Sequence, residues 1–380
     1  MEFDLNFSSI YIHWPFCPYR CFFCPFVTVI GKDEYMERYN NALNTEFENF
    51  KSEKQQKIKT IYVGGGTPST WPEKLLLDTF DRLNKTFNLS TLEEFCLEVN
   101  PGTASRAKLE TWKQIGINRL SIGVQGLNDN VLKSLGRNQS REDVVNLLNM
   151  ASEYFENISI DLILGLPDTS EADWQAFVAE VVTWNIRHIS VYFLTVHEGT
   201  KLYFGLRKGQ ISLPREESYI RMYDWTTGFL KKHGFMQYEV SSFAKEGYQS
   251  KHNQVYWSRG SFKGFGIGAC SFDGHGRFQN EKNILKYMEG IEEGKDVTIF
   301  SEKLTKNQEW IEVLMLGIRQ TKGLSIDKLK LFLSEKEMEI FLEKVKSLQE
   351  ANLLRKDKDK IYLTQLGLGM ENEVVLRLIK

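Results

Sequence analysis

The chain has 380 residues, with 48 basic and 50 acidic side chains, a formal net charge of −2 and a hydrophobic fraction of 42%. This length and composition predict a globular protein with one large domain and a small one, and the balanced charge argues against a general polyanion-binding surface. No long apolar run indicates a membrane span, and residues 1–6 lack the basic and apolar stretches of a secretion signal. We therefore expect a cytoplasmic protein.

Short β-rich runs alternate with longer helix-like segments over the first 200 residues. The predicted strands are 9–13, 60–63, 95–99, 119–124, 158–163 and 189–193, and the predicted helices are 34–50, 72–87, 105–115, 128–135, 141–155 and 171–184. Consecutive units of this kind predict parallel strands joined by right-handed crossovers. Six units predict an α/β fold with a partial (β/α)6 TIM-like barrel, whose functional end is formed by the carboxyl ends of its strands.

Loops with distinctive residues directly follow five of the predicted strands. They are a cysteine loop, Gly64-Gly65-Gly66-Thr67-Pro68-Ser69, Asn100-Pro101-Gly102-Thr103, Gln125-Gly126 and Gly165-Leu166-Pro167, in chain order. Because the carboxyl ends of parallel strands meet at one edge of a sheet, we expect these loops to surround one site.

The cysteine loop offers three thiols, Cys17, Cys21 and Cys24, whereas Cys96 and Cys270 are far away in the sequence. Thiolates ligate the irons of a cubane cluster, and three of them leave one iron open to another ligand. The C-x3-C-x2-C spacing resembles the signature of the radical S-adenosylmethionine (SAM) superfamily, in which SAM chelates the open iron. A zinc site completed by His13, or ordinary reduced thiols, are the alternatives.

Polar side chains near the predicted strand ends are candidates for holding such a cofactor. Glycines at 64–66 allow a ligand to approach the backbone closely, and Glu98 is a costly acid to bury unless a partner such as a ribose accompanies it. Gln125, Arg137 and Asp161 complete a predicted polar ring around the barrel mouth, although each taken alone has a structural or surface role as its alternative.

The rest of the chain has a different organisation. A glycine- and aromatic-rich region at about 238–276 predicts a cap over the open barrel side, and from about 304 helical runs at 307–319, 325–333 and 335–350 precede a charged turn at 356–360. This order predicts a small winged-helix-like α+β domain, and the domain boundaries are predicted as 1–200, 201–300 and 301–380. Basic residues alternate with acids in the last domain, so we expect no nucleic acid as a partner.

In order along the chain, the cysteine loop, the Gly-Gly-Gly-Thr-Pro-Ser turn and the segments 98–101, 121–125 and 161–167 resemble the family of oxygen-independent coproporphyrinogen III oxidases and their relatives. The resemblance implies a radical SAM barrel with a [4Fe-4S] cluster. It implies that Tyr11, Gly65, Glu98 and Ile267 contact the cluster-bound SAM. Contacts to a second SAM are implied for Phe23, Gly66, Thr67, Gln125, Arg137, Asp161 and Thr195.

Two features resemble the heme chaperone branch of that family. Phe26 stands where the oxidases carry a fourth cysteine, and the segment from His252 to Trp257 resembles a His-Asn-x-x-Tyr-Trp motif implicated in heme binding. The resemblance implies heme contacts for His252, Asn253, Tyr256 and Trp257. The chain departs from the branch at Cys270, where relatives usually carry a histidine, and at His197, where they usually carry an acid.

The resemblance implies a heme chaperone that binds a [4Fe-4S] cluster, SAM and heme and delivers heme to hemoproteins such as respiratory enzymes. Heme-accepting proteins, a second copy of the chain and peripheral contact with membrane respiratory proteins are the partners we expect. SAM cleavage stays open and coproporphyrinogen oxidase activity is not expected. The alternatives are a radical SAM enzyme that modifies a porphyrin and a zinc-stabilised interaction protein.

Overall fold

Strands and helices alternate through the first half of the computed structural model, which describes residues 6–50 and 55–380. The strands are β1 (Ser9–Trp14), β2 (Thr60–Gly65), β3 (Glu94–Val99), β4 (Arg119–Gln125), β5 (Asn157–Leu164) and β6 (His188–Phe193), and the helices are α1 (Met36–Asn49), α2 (Glu73–Thr86), α3 (Arg106–Gln114), α4 (Asp129–Ser134), α5 (Arg141–Ala151) and α6 (Glu171–Val181). Neighbouring strands from β1 to β6 pair in parallel. The predicted partial (β/α)6 barrel is confirmed.

The two faces of these strands have different chemistry. Outward side chains of β1 such as Trp14 are fully buried under the helices, and Trp14 stacks on Trp71 with ring centroids 4.2 Å apart. Burying a large apolar side chain contributes about 1.5–3 kcal/mol, so this outer layer supplies much of the stability. The inward positions carry polar groups such as His13, Tyr62 and Glu98, which contact one another or neighbouring strands.

Serine side chains fix the starts of several helices. The side chains of Ser140 and Ser170 each accept a hydrogen bond from the backbone N–H three residues later. The acidic side chain at that later position in turn accepts a hydrogen bond from the backbone N–H of the serine. A capping box of this kind satisfies two backbone donors that the first turn leaves free. It sets where α5 and α6 begin and therefore where the loops before them end.

The middle of the chain extends the sheet at both edges. Its elements are α7 (Lys201–Arg207), α8 (Glu216–Lys232), β7 (Met236–Glu239), β8 (Ser242–Ala244), α9 (Lys251–Trp257), β9 (Lys263–Phe265), β10 (Cys270–Phe272), β11 (Gly276–Asn280), α10 (Ile284–Glu292) and β12 (Thr298–Lys303). In the described residues the sheet has the order β7-β8-β6-β5-β4-β3-β2-β1-β9. The segment predicted as a cap therefore flanks the open side of the barrel, since β8 pairs with β6 and β9 pairs with β1.

The carboxyl-terminal part forms a small α+β unit. It contains α11 (Lys306–Ile318), β13 (Leu324–Ser325), α12 (Ile326–Lys330), α13 (Glu335–Glu350), β14 (Leu354–Asp357), β15 (Lys360–Leu363), α14 (Gln365–Gly369) and α15 (Glu371–Ile379). Its three strands form a separate antiparallel sheet in the order β13-β15-β14, in which β14 and β15 make the predicted ribbon.

An ion pair joins this unit to the large sheet. The guanidinium of Arg319 lies 2.9 Å from the carboxylate of Glu239, which is buried. The domain boundaries at 200 and 300 stay a prediction, and residues 1–5 and 51–54 of the predicted first domain lie outside the described residues. Over the part of the chain that the structure describes, we find no helix with the length and apolarity needed to cross a membrane.

Candidate functional site

A cavity of about 510 Å³ opens at the carboxyl ends of the barrel strands. Its wall comes from the cysteine loop, the turn after β2, the ends of β3 to β5 and the segment after β6. Most of the predicted site residues meet there, namely Cys17, Cys21, Phe23, Cys24, Gly65, Gly66, Thr67, Glu98, Gln125, Arg137, Asp161 and Thr195. Residues from seven separate parts of the sequence thus share one cavity.

Backbone hydrogen bonds hold the cysteine loop in place at the cavity wall. The N–H of Cys17 donates to the carbonyl of Val29 over 2.9 Å, and the N–H of Phe22 donates to the carbonyl of Leu135 over 2.8 Å. Gly136 has a positive φ of +71°, and a Cβ at this position would lie 2.6 Å from the Phe22 ring. A glycine is therefore needed for α4 and the loop to approach this closely.

Polar side chains lie beside two of the three thiols. The sulfur of Cys17 lies 2.9 Å from the hydroxyl of Thr67, and the guanidinium of Arg137 lies 3.7 Å from the sulfur of Cys21. Burial raises the pKa of Cys17 to about 11 and raises the pKa of Cys24. Because a metal binds the thiolate, loading this site with iron must release protons.

The described residues show no ready-made site for a single metal ion. In a cubane cluster each thiolate binds a different iron, so the thiols stand further apart than around one metal. Among residues 6–50 and 55–380, no group of three or more His, Cys, Asp or Glu side chains is arranged to hold one metal ion. His13 is also unavailable, since Nε2 donates to the carbonyl of Val27 and Nδ1 accepts from the hydroxyl of Tyr11. In this structure His13 is thus not free to complete a zinc site.

The glycine turn after β2 is pressed against the cysteine loop. The N–H of Gly66 donates to the carbonyl of Trp14, and the N–H of Thr67 donates to the carbonyl of Phe16. A Cβ on Gly66 would lie 2.3 Å from the carbonyl oxygen of Pro15. The glycines thus allow the turn and the loop to meet, in addition to exposing backbone groups to the cavity.

Glu98 presents to the cavity a carboxyl group whose pKa is raised well above its ordinary value. Burial, assisted by the nearby carboxylate of Asp161, raises its pKa to about 7, although the hydrogen bond of 2.8 Å that it accepts from the hydroxyl of Tyr62 acts in the opposite direction. The group is therefore close to half-ionised at neutral pH. Hydroxyl donors of a ligand would favour its ionised form.

Asp161 has an unused acceptor at the cavity. Its Oδ2 accepts a hydrogen bond of 3.0 Å from the hydroxyl of Ser121, and burial raises its pKa. Its Oδ1 is buried and has no hydrogen-bond partner among the described residues. A buried acceptor of this kind is costly unless a ligand or water supplies a donor, so the atom fits a cavity that holds a polar cofactor.

Arg137 is held firmly although it is a charged side chain. It donates to Oδ1 of Asn100 over 2.6 Å, to Oε1 of Gln139 over 2.9 Å and to the carbonyl of Gly123. These bonds keep the guanidinium at the cysteine loop, where its positive charge partly offsets the burial that raises the pKa of Cys17 and Cys24. Sequence reasoning missed Asn100 as a partner and Gln139 altogether.

Gln125 and Thr195 reach the cavity from the ends of their strands. Gln125 has a positive φ of +66°, which follows an irregularity in the pairing of β4 with β5 and is rare for a side chain other than glycine. Thr195 is exposed, and its hydroxyl donates to the carbonyl of Phe193 over 3.4 Å.

Two residues predicted to contact SAM lie behind the cavity wall. Tyr11 stacks on Tyr62 with ring centroids 6.3 Å apart, and its hydroxyl is engaged by His13. Ile267 is 1% exposed, and its N–H donates to the hydroxyl of Tyr39. Neither residue lines the cavity, since Tyr11 lies in the middle of β1 and Ile267 lies two residues after the end of β9.

The His-Asn-x-x-Tyr-Trp motif lies at the other end of the barrel. Its residues fall in α9, and His252 is fully buried against Thr60, the first residue of β2. Its Nδ1 lies 2.9 Å from the Thr60 hydroxyl and its Nε2 lies 2.7 Å from the Tyr256 hydroxyl. Burial lowers the pKa of His252 to about 3. The imidazole is thus neutral and both of its nitrogens are occupied.

The other residues of the motif join α9 to its surroundings. The guanidinium of Arg319 lies 4.0 Å from the centre of the Trp257 ring, and the side chain of Gln320 donates to the Trp257 carbonyl. The N–H of Asn253 donates to the hydroxyl of Ser250, which caps α9. The motif thus connects the amino-terminal end of the barrel with the carboxyl-terminal unit and does not reach the cavity. Its contact with heme stays a prediction.

Comparisons with known proteins agree with this architecture. A family model for the radical SAM superfamily matches residues 11–181, and a model for the HemN C-terminal domain matches residues 304–368. The chain is 35% identical to the heme chaperone HemW of Bacillus subtilis (strain 168), covering 97% of this chain and 98% of that one. It is 31% identical to the heme chaperone HemW of Lactococcus lactis subsp. lactis (strain IL1403), covering 97% and 96%.

A eukaryotic relative and a solved structure extend the comparison. The chain is 32% identical to the mitochondrial radical S-adenosyl methionine domain-containing protein 1 of Danio rerio, covering 90% of this chain and 80% of that one. The solved structure of coproporphyrinogen III oxidase (HemN) from Escherichia coli superposes with a TM-score of 0.82 at 22% identity, covering 97% and 89%. That similarity establishes the fold.

The partial barrel and its three-cysteine cavity define a radical SAM protein. More narrowly, the chain belongs to the heme chaperone HemW family. Membership of the superfamily implies a [4Fe-4S] cluster and SAM as cofactors, which supply one-electron and radical chemistry when bound.

Proposed function

We propose that this protein is a heme chaperone that binds a [4Fe-4S] cluster, SAM and heme and delivers heme to heme-accepting proteins such as respiratory enzymes. The observation that carries the proposal is the similarity to HemW proteins over nearly the whole chain, which includes the barrel and the carboxyl-terminal unit. Phe26 supports the chaperone over the oxidase, because this exposed side chain stands at the cavity where the oxidases carry a fourth cysteine.

The cavity offers suitable groups for the first two cofactors. Cys17, Cys21 and Cys24 would hold three irons of the cluster, and the Arg137 guanidinium would lie beside the sulfur of Cys21. The backbone at 65–67 and the carboxylate of Glu98 would hold SAM, since they offer acceptors for its amino group and its ribose hydroxyls. The unused Oδ1 of Asp161 supports a ligand donor at this place.

The cellular setting and the assembly are parts of the same proposal. We place the protein in the cytoplasm, where it would contact membrane respiratory proteins at the surface of the bilayer. A homodimer is supported by β12, which pairs only with β11 among the described strands and exposes Ile299 and Phe300 by 52% and 48%. Light scattering should give the mass of two chains, and Phe300→Lys should give the mass of one.

The decisive experiment separates a chaperone from a porphyrin-modifying enzyme. The cluster-loaded protein is incubated without oxygen with SAM, a reductant and either heme or coproporphyrinogen III, and the tetrapyrrole is then recovered and weighed by mass spectrometry. A chaperone returns both compounds unchanged. Conversion of coproporphyrinogen III to protoporphyrinogen, or of heme to a methylated or ring-opened product, would replace this proposal with the enzymatic alternative.

A further inference from the structure

Within the described part of the chain, only one of the six histidines combines a ring without a hydrogen bond with a place at the cavity. His13, His188 and His252 are buried, and both ring nitrogens of each are hydrogen-bonded. His233 and His275 are exposed but lie outside the cavity. His197 is exposed, lines the cavity and has no hydrogen bond or ion pair at its ring among the described residues. Its imidazole is therefore available to an external ligand.

Exposed aromatic side chains line the cavity near the cysteine loop and the end of β6. Phe26 is 62% exposed and Tyr192 is 43% exposed, and both line the cavity together with Phe23 and Phe193. Binding of a ligand that removes large aromatic side chains from water is favourable, because it buries apolar surface. A ligand with a wide, flat, apolar ring system can contact several such side chains at once.

A cation without a protein partner lies in the same wall. Arg20 is exposed, lines the cavity next to Cys21 and makes no hydrogen bond or ion pair with a side chain in the described part of the chain. By contrast, two other exposed arginines have such partners, since Arg38 pairs with Glu292 and Arg221 pairs with Glu171. An exposed guanidinium without a side-chain partner can bind a carboxylate of a ligand through two parallel hydrogen bonds.

We propose that this face of the cavity is a heme site, in which His197 supplies the axial imidazole, Phe26 and Tyr192 contact the porphyrin and Arg20 pairs with a propionate. The inference rests on the proposed function, because it takes heme as the cargo, and it assigns that cargo to residues other than those of the His-Asn-x-x-Tyr-Trp motif. His252 could ligate iron only after losing its bonds to Thr60 or Tyr256 and after α9 had left the barrel.

The axial ligand is tested by titrating hemin into the cluster-loaded protein and following the Soret band. His197→Ala should weaken binding by about tenfold or more and shift the Soret maximum away from its histidine-ligated position. His275→Ala is the matched control, because it removes an exposed histidine outside the cavity, and it should leave both quantities unchanged. Circular dichroism of the two variants should match the wild type, since both side chains are exposed.

The role of Arg20 is tested with a second ligand. Arg20→Gln should weaken the binding of hemin by about fivefold to tenfold and leave the binding of hemin dimethyl ester, which lacks free propionates, as in the wild type. Equal losses for both ligands would overturn the pairing.

The outcomes separate the two levels of the proposal. If the wild type does not bind hemin saturably, the proposed function fails together with this site. If the wild type binds hemin and His197→Ala keeps the wild-type affinity and Soret position, the site alone is overturned. Loss of the histidine-ligated spectrum in His252→Ala but not in His197→Ala would assign the iron to α9 instead.

Discussion

The hydroxyl of Tyr62 donates a hydrogen bond of 2.8 Å to the carboxyl group of Glu98. Both residues line the cavity, and the Tyr62 ring also stacks on the imidazole of His252 with centroids 5.3 Å apart. One side chain of β2 therefore contacts both the acid proposed to hold SAM and the helix that closes the opposite end of the barrel. Tyr62 is thus a positioning residue, whose removal should affect SAM through Glu98.

We expect SAM binding to strengthen as the pH rises through neutrality. Burial raises the pKa of Glu98 to about 7, and the ionised carboxylate is the better acceptor for ribose hydroxyls. Between pH 6 and pH 8 the affinity should rise about tenfold, because the ionised fraction rises from about a tenth to about nine-tenths. Equilibrium dialysis of labelled SAM against the cluster-loaded protein measures this, and Glu98→Gln should bind weakly with no such dependence. A flat wild-type profile would contradict the assignment.

Tyr62→Phe should shift that profile without removing it. The Tyr62 hydrogen bond lowers the pKa of Glu98, so the midpoint of SAM binding should move to higher pH in the variant. Loss of a hydrogen bond to an ionised group costs about 1.5–3 kcal/mol, which raises the pKa by about one to two units and lowers the ionised fraction at pH 7, and with it the affinity, by about sevenfold or more. Binding as tight as in the wild type at every pH would show that Tyr62 does not act through Glu98.

Replacing any one of Cys17, Cys21 and Cys24 by alanine should abolish the cluster. A cubane held by three thiolates has no spare protein ligand, so iron should fall from about four atoms per chain to near zero. Iron analysis and the brown absorbance of the reconstituted protein measure the loss. Cys270→Ala is the control, since Cys270 is exposed and does not line the cavity. A variant that keeps all its iron would remove that cysteine from the ligand set.

Gly66→Ala should destabilise the junction between the glycine turn and the cysteine loop. The added Cβ would lie 2.3 Å from the Pro15 carbonyl, so the free energy of unfolding should fall by about 1–3 kcal/mol. Urea unfolding measures it. Gly228→Ala is the control, because this glycine lies within α8 with no described atom within 4 Å of the new Cβ, and it should be neutral or stabilising by up to about 1 kcal/mol. Equal stability of the two variants would show that the turn can move away freely.

The barrel and the composition of its cavity could be predicted because their signals are local. Each strand from β1 to β6 is a short β-rich run, and the loops at the strand ends share one edge once the strands are parallel. The structure accordingly brings Cys17, Glu98 and Asp161 into one cavity. Their contacts with the cofactors stay predictions.

The position of α9 could not be predicted, since it depends on contacts between distant residues. His252 and Thr60 are 192 positions apart, and a seven-residue helix carries no local signal of the barrel end that it closes. The hydrogen bond from Arg137 to Gln139 was missed for a related reason, because nothing in the segment 137–139 indicates which side chains face inward. Tyr62 had a signal, since it precedes Gly64 by two positions and therefore shares its face of β2.

The most direct test of the account is a titration of the anaerobically reconstituted protein with heme, followed by transfer to a heme-free acceptor. We predict saturation at about one heme per chain, recovery of chemically unchanged heme and faster loading of the acceptor than from free heme. Failure of heme to bind saturably, or its recovery in a modified form, would contradict the assignment of a heme chaperone.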